Sequence, residues 1–179
     1  MRPFLLPLTF LLALATVQAE VIRLAPDFTF GGVGKPESLK SLRGTPVVLL
    51  IAKSPKQKEL KVQAKNLRGI YEEFANKHVI FAAAFTAESG LVPSDIPFVI
   101  ATNGPAVASA YGLQTTPNNG RSFVPDWMHL SVGGTSDFNI VIIGKDGNID
   151  YQTDKVLTSN RVRDVIQNSY AIQATTGRN

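Results

Sequence analysis

Two apolar runs separated by one long amphipathic segment constrain this chain more than any other feature. Thr45-Pro46 leads into Val47-Val48-Leu49-Leu50-Ile51-Ala52, and the second run extends from Val79 to Phe85. This order predicts a strand, a crossover helix and a parallel strand, the repeating unit of an α/β sheet. Between them Leu60, Ala64, Leu67, Tyr71 and Phe74 recur at steps of four and three, which places them in one stripe facing the sheet. The opposite side carries Lys58, Lys61, Lys65 and Arg68. A solvated face is the ordinary reading of such a row, and an anionic partner is the alternative.

The joint between the first strand and the helix reads Ala52-Lys53-Ser54-Pro55-Lys56-Gln57. Ser54 is expected to cap the helix, Pro55 suits a first helical position that needs no amide donor, and Gln57 completes a capping box with Ser54. Lys53 and Lys56 then stand beside free amides at the positive end of the helix dipole, an arrangement that a bound anion would relieve. Lys53, Ser54, Lys56 and Gln57 are therefore the candidate anion or ligand site.

Arg2 precedes the apolar stretch from Phe4 to Ala15, and Val17-Gln18-Ala19 is a small-residue pattern suited to a signal peptidase. Residues 1–19 are expected to be a cleaved export signal, with one domain over 20–179 and a periplasmic or secreted location. The apolar stretch is shorter than the roughly 20 residues of a spanning helix, so no membrane span is expected after cleavage. Loss of Arg2 leaves 17 basic against 14 acidic side chains, a formal charge of +3. That excess is too mild to imply nucleic acid, and no aromatic and basic residues interleave as a stacking platform requires. The cysteine count is zero, which removes thiol chemistry from this chain altogether.

Along the rest of the chain, Val21 to Phe30 reads as an extended lead-in, Gly31 to Gly34 as a turn, and Ser38 to Leu42 as a short helical turn. Ile96 to Ile100 is expected to add a strand. Asn103-Gly104-Pro105 opens a brief helix over Ala106 to Tyr111, which Gly112 ends. Residues 114–136 hold seven proline, glycine and asparagine residues without a period and are expected to form a long loop. Phe123, Trp127 and His129 in it are candidates either for tucking the loop onto the core or for contacting a partner. Phe138 to Ile143, the turn Gly144 to Asn148 and Ile149-Asp150-Tyr151 predict a β-hairpin. Thr158-Ser159-Asn160 caps a last helix whose apolar face is Val162, Val165, Ile166 and Tyr170.

Other chemistries find little support. Asp146, Asn148 and Asp150 imitate the start of a calcium loop, but Tyr151 stands where glycine is required and Leu157 where glutamate is required. His78 and His129 lack metal-ligand spacing. Ser54, His129 and Asp126 could be imagined as a triad, yet no nucleophile-elbow motif surrounds the serine. No metal and no cofactor is expected.

Leu24-Ala25-Pro26-Asp27-Phe28, Leu42-Arg43-Gly44, Ala110-Tyr111-Gly112-Leu113 and Val141-Ile142-Ile143-Gly144-Lys145-Asp146-Gly147, in that order, resemble the thioredoxin-like superfamily, and within it the peroxiredoxin and thiol-disulfide oxidoreductase branches. The resemblance implies an α/β fold with a central mixed sheet and helices on both faces. It also implies redox cysteines at the strand-to-helix joint and a cis-proline before the third long strand. Here the joint holds Lys53, Ser54, Pro55 and Lys56, and the other position holds Ser136, Asp137 and Asn139. No catalytic residue carries over, because a serine hydroxyl is scarcely ionised near neutral pH and does not cycle through a disulfide. The reading is a cysteine-less exported domain that binds another exported protein or a small anionic ligand; the alternative, a redoxin-family oxidoreductase, rests on resemblance alone.

Overall fold

The computed structural model describes residues 23–31, 37–74, 78–113 and 137–176, with 171–176 described by backbone alone. The expected loop over 114–136 lies outside the described residues, as do residues 1–22. Seven strands and three α-helices are formed in these segments: β1 Thr29–Phe30, β2 Glu37–Ser38, β3 Val47–Ala52, α1 Lys58–Phe74, β4 Ile80–Phe85, β5 Val99–Ile100, α2 Gly104–Ala110, β6 Phe138–Ile143, β7 Ile149–Thr153 and α3 Ser159–Thr176. A 3-10 turn over Leu39–Leu42 follows β2.

The main sheet has the order β5-β4-β3-β6-β7. β3 runs parallel to β4 and antiparallel to β6, so the central strand joins the parallel half of the sheet to the antiparallel half. All six residues of β3 and of β6 are buried. Continuous apolar strands of this kind are what a sheet covered on both faces demands. Alternate side chains divide into two cores. Val48, Leu50, Ala52, Phe138, Ile140 and Ile142 pack with Leu60, Leu67, Ile70 and Phe74 of α1 and with Val162 and Ile166 of α3. Val47, Leu49, Ile51, Val141 and Ile143 pack with Val107, Ala108 and Tyr111 around α2 and with Phe28 and Phe30. The fold is α/β, a mixed sheet with helices on both faces.

Most elements lie where the sequence places them, and β6 has the expected bounds. Asn103 caps α2 by accepting from the Ala106 amide at 3.2 Å, and Thr158 accepts from Arg161 at 3.3 Å ahead of α3. β5 is confined to two residues rather than extending from Ile96, since Pro97 has no amide to give a ladder. The lead-in pairs through β1 with β2, and Leu24 bridges Asn148. β7 carries a bulge between its pairings with Ile142 and Ile143, and Asp150 is the extra residue. Asp146 shows what the acidic spacing in that hairpin does: Oδ1 and Oδ2 accept from the Asn148 amide and side chain at 2.9 and 2.7 Å. Among the described residues no group of acids and histidines could hold a metal ion, and no helix is long and apolar enough to cross a membrane.

The start of α1 differs from expectation. The helix begins at Lys58, and Ser54 to Gln57 form a separate turn in which the Gln57 amide donates to Ser54 O at 3.2 Å. The Ser54 hydroxyl accepts from Lys56 at 3.3 Å, not from Gln57. Gln57 instead stands before the helix, its carbonyl accepting from Lys61 at 3.2 Å and its side chain from the Lys53 amide at 2.8 Å. The expected capping box is therefore not formed: the Ser54 and Gln57 side chains serve the Lys56 and Lys53 amides and brace a turn ahead of the helix.

Candidate functional site

The register of the three central strands determines where the joint lies. Ala52 pairs with Phe85 on one side and Phe138 on the other, so the carboxyl ends of β3 and β4 meet the amino end of β6. In open α/β sheets this edge, outside the carboxyl ends of parallel strands, is where ligands bind.

Backbone bonds fasten the joint to the segment after β4. Ala52 O accepts from Thr86 at 3.0 Å, and Lys53 O accepts from Ala87 and Glu88 at 3.0 and 3.3 Å. Pro55 packs against Gly90 so closely that a Cβ on Gly90 would lie 2.8 Å from the proline Cγ. Lys56 Nζ forms a 2.9 Å ion pair with Glu88 Oε1. These contacts hold the turn over 54–57 in one shape without any covalent bridge.

An open cleft of about 520 Å³ occupies this edge, lined by Lys53, Ser54, Lys56, Gln57, Glu59 and Asp137. All four candidate residues of the joint are thus brought together. Glu59 and Asp137 are additions that the sequence reading did not include. Glu59 belongs to the first turn of α1, where a carboxylate complements the helix dipole. Asp137 immediately precedes β6, in the stretch near Phe138 where the resemblance places a proline.

These two carboxylates change the electrostatics expected of the site. Lys56 is held by Glu88, whereas Lys53 is exposed and makes no ion pair among the described residues. The amides also move: Lys56 and Gln57 spend theirs on Ser54, so the donors left over belong to the first turn, at Lys58 and Glu59. Chemically the cleft offers ammonium groups, carboxylates, a hydroxyl and an amide; among the described residues no histidine lines it. His78 is exposed before the amino end of β4, at the opposite end of the sheet. Phe123, Trp127 and His129 lie outside the described residues.

No protein-family profile matches the sequence, and no curated protein matches it. Solved structures do match by shape. Thioredoxin peroxidase I of Plasmodium yoelii superposes with a TM-score of 0.58 at 14% identity, covering 88% of this chain and 92% of that one. A thioredoxin-type protein of Neisseria meningitidis gives 0.56 at 17% identity, covering 84% and 91%. A DsbE-type thiol:disulfide interchange protein of Chlorobium tepidum gives 0.54 at 12% identity, covering 83% and 96%. At such identities the likeness is one of fold. The chain has the thioredoxin fold, and it has no cysteine.

Proposed function

We propose that this protein is an exported, non-catalytic thioredoxin-fold module of the cell envelope, which holds a small anionic ligand or a segment of another exported protein at the cleft beside Ser54. The observation that carries this reading is a joint kept in place by Glu88, Gly90 and Gln57 while its side chains are lysine, serine, proline and lysine. The joint at which the resemblance places redox cysteines is present; the cysteines are not. The leader-like first 19 residues support export, and an exported domain of this size can fold without disulfides.

Lys53 is the cation open to a ligand, and Lys56 joins it only by leaving Glu88. The test has two arms. Peroxide consumption and disulfide reduction are followed for the purified protein and for a Lys53→Ala, Ser54→Ala, Lys56→Ala variant; turnover that depends on these residues would end the non-catalytic reading. Amide shifts are then followed during titration with sulfate and with acetate. Movement at Lys58 and Glu59 that disappears in the variant supports the cleft as a binding site, and no movement at millimolar anion removes it.

A further inference from the structure

The exposed face of α1 breaks several rules that an ordinary solvated helix face obeys. Lys58, Lys61 and Lys65 are exposed, and none forms an ion pair among the described residues. The positions three and four residues away from each hold Ser54, Pro55, Gln57, Val62, Ala64, Arg68, Gly69 or another of the three lysines, and never an acid. Lys58 with Lys61 and Lys61 with Lys65 are like-charge neighbours, each pair unfavourable by a few tenths of a kcal/mol. Lys58 and Lys61 also lie in the first turn of the helix, where the dipole disfavours cations. The other cation of the helix is paired, Arg68 with Glu72 and Asp95 at 3.9 and 3.3 Å, and toward its carboxyl end Glu73 pairs with Arg163 at 2.6 Å. The unpaired cations are thus gathered in one row, with Val62, 42% exposed, in its middle. Local conflicts of this kind concentrate at functional surfaces.

We infer that the row Lys58, Lys61, Val62 and Lys65 is a docking surface for an acidic polypeptide segment. Neighbouring lysines are about 4.5 to 6 Å apart along the helix axis, from a rise of about 1.5 Å per residue. Carboxylates on one face of a partner helix, or at alternate residues of an extended segment, have matching separations. Val62 gives such a segment an apolar contact between the charges. A bilayer surface fits less well, because a helix that lies in a membrane interface sinks its apolar face into it. The apolar face of α1 is already spent, with Leu60, Ala64, Leu67, Ile70 and Phe74 buried against the sheet and α3. The surface adjoins the cleft at the first turn, but Lys61, Val62 and Lys65 lie outside the cleft lining, and the inference stands on them without it.

The experiment is titration of the purified protein with a synthetic peptide of about ten residues bearing glutamate on alternate positions, followed by amide shifts and fluorescence anisotropy. Shifts should centre on residues 61–65, beyond the first-turn amides that report on the cleft, and affinity should fall with salt, since exposed charges are screened over roughly 8 Å at physiological ionic strength. A Lys61→Glu, Lys65→Glu variant should bind at least about ten-fold more weakly, a loss of about 1.4 kcal/mol. A Lys40→Glu, Lys155→Glu variant, with the same change in net charge elsewhere, should bind as the parent does. Circular dichroism confirms that both fold. Equal weakening in the two variants, no binding of the peptide, or binding to phosphatidylglycerol vesicles in preference to the peptide would each overturn the inference.

Discussion

The amide of Leu157 donates a 2.7 Å hydrogen bond to Oε1 of the fully buried Gln63, so a side chain on α1 satisfies the backbone of the segment that leads into α3. Asn66, one turn along, donates from Nδ2 to Leu157 O at 2.9 Å, and its own carbonyl accepts from Ser159 Oγ at 2.6 Å. Two amide side chains thereby register the last helix against the first. Replacing Gln63 with leucine leaves the Leu157 amide without its partner, which costs about 1–3 kcal/mol. Urea denaturation of Gln63→Leu, Asn66→Ala and the double variant checks this; the double variant should lose less than the sum, because both residues serve the same segment.

Two helical glycines should respond in opposite directions. A Cβ on Gly104, at the start of α2, would overlap the carbonyl oxygen of Phe85, whereas one on Gly69, midway along α1, would meet nothing within 4 Å. Gly69→Ala is expected to stabilise the protein by up to about 1 kcal/mol through helix propensity. Gly104→Ala is expected to destabilise it by about 1–3 kcal/mol, as overpacking does, because the obstacle is backbone rather than a side chain that can turn aside. Thermal melting of the two variants decides the matter.

Asp150 gives stability a pH dependence. The bulge in β7 brings its carboxyl group to the Ser169 hydroxyl. Although the residue as a whole is exposed, the carboxyl itself is partly desolvated, and this raises its pKa; the neighbouring Asp146 adds to the rise and the Ser169 hydrogen bond opposes it. The native state then holds a proton more tightly than the unfolded chain does. Stability contributed by this group is present below the ordinary aspartate value of about 4 and declines as pH rises through the elevated native value. Asp150→Asn should remove that decline, so the difference between variant and parent grows in the variant's favour from pH 4 upward. Chemical denaturation at several pH values measures it, and a parallel pair of curves would contradict it.

Glu88 should tune the cleft. Its ion pair with Lys56 is exposed on both sides, at 77% and 53% side-chain exposure, so breaking it costs little stability. Glu88→Gln frees Lys56 for a ligand and should tighten sulfate binding by about two- to five-fold, the equivalent of about 0.4–1 kcal/mol. The readout is the midpoint of the amide shifts at Lys58 and Glu59; unchanged affinity would mean that Lys56 takes no part.

Burial of Tyr111 is a further handle on the lead-in. Its hydroxyl donates to Pro26 O at 3.0 Å, and desolvation, with the nearby Asp27, pushes its pKa well above the usual tyrosine value. Tyr111→Phe should cost about 0.5–1.5 kcal/mol by removing that bond, with the fold unchanged. Urea midpoints for the two proteins provide the comparison.

The sequence made the strands legible where apolar runs were bounded by turn residues: Phe138–Ile143 is a run of this kind, and its bounds are those expected. It misplaced the start of α1 because Ser54 and Gln57 are both competent caps, and the choice depends on Lys53 O being taken by Ala87 and Glu88, residues far along the chain. The four joint residues of the cleft were legible because they are contiguous. Glu59 and Asp137 were not, since only the register of β3 with β6 brings Asp137 to the first turn of α1. Gln63 and Ile70 were missed from the buried stripe of α1; a buried glutamine has no apolar signature, and its reason for being there is the Leu157 amide.

The two-residue length of β5 and the bulge in β7 bear on how this chain behaves in company. Both are the outer strands of the main sheet, the places where unpaired amides and carbonyls invite another chain to add itself. β5 offers too short a ladder to template a partner, and Pro97 just before it cannot donate. At the other margin Asp150 interrupts the ladder, while Arg23 and Ala25 already take up the Ile149 amide and the Gly147 carbonyl. A chain with no disulfides to restrain its unfolded excursions thus carries its protection against edge-to-edge aggregation in the outlines of its sheet.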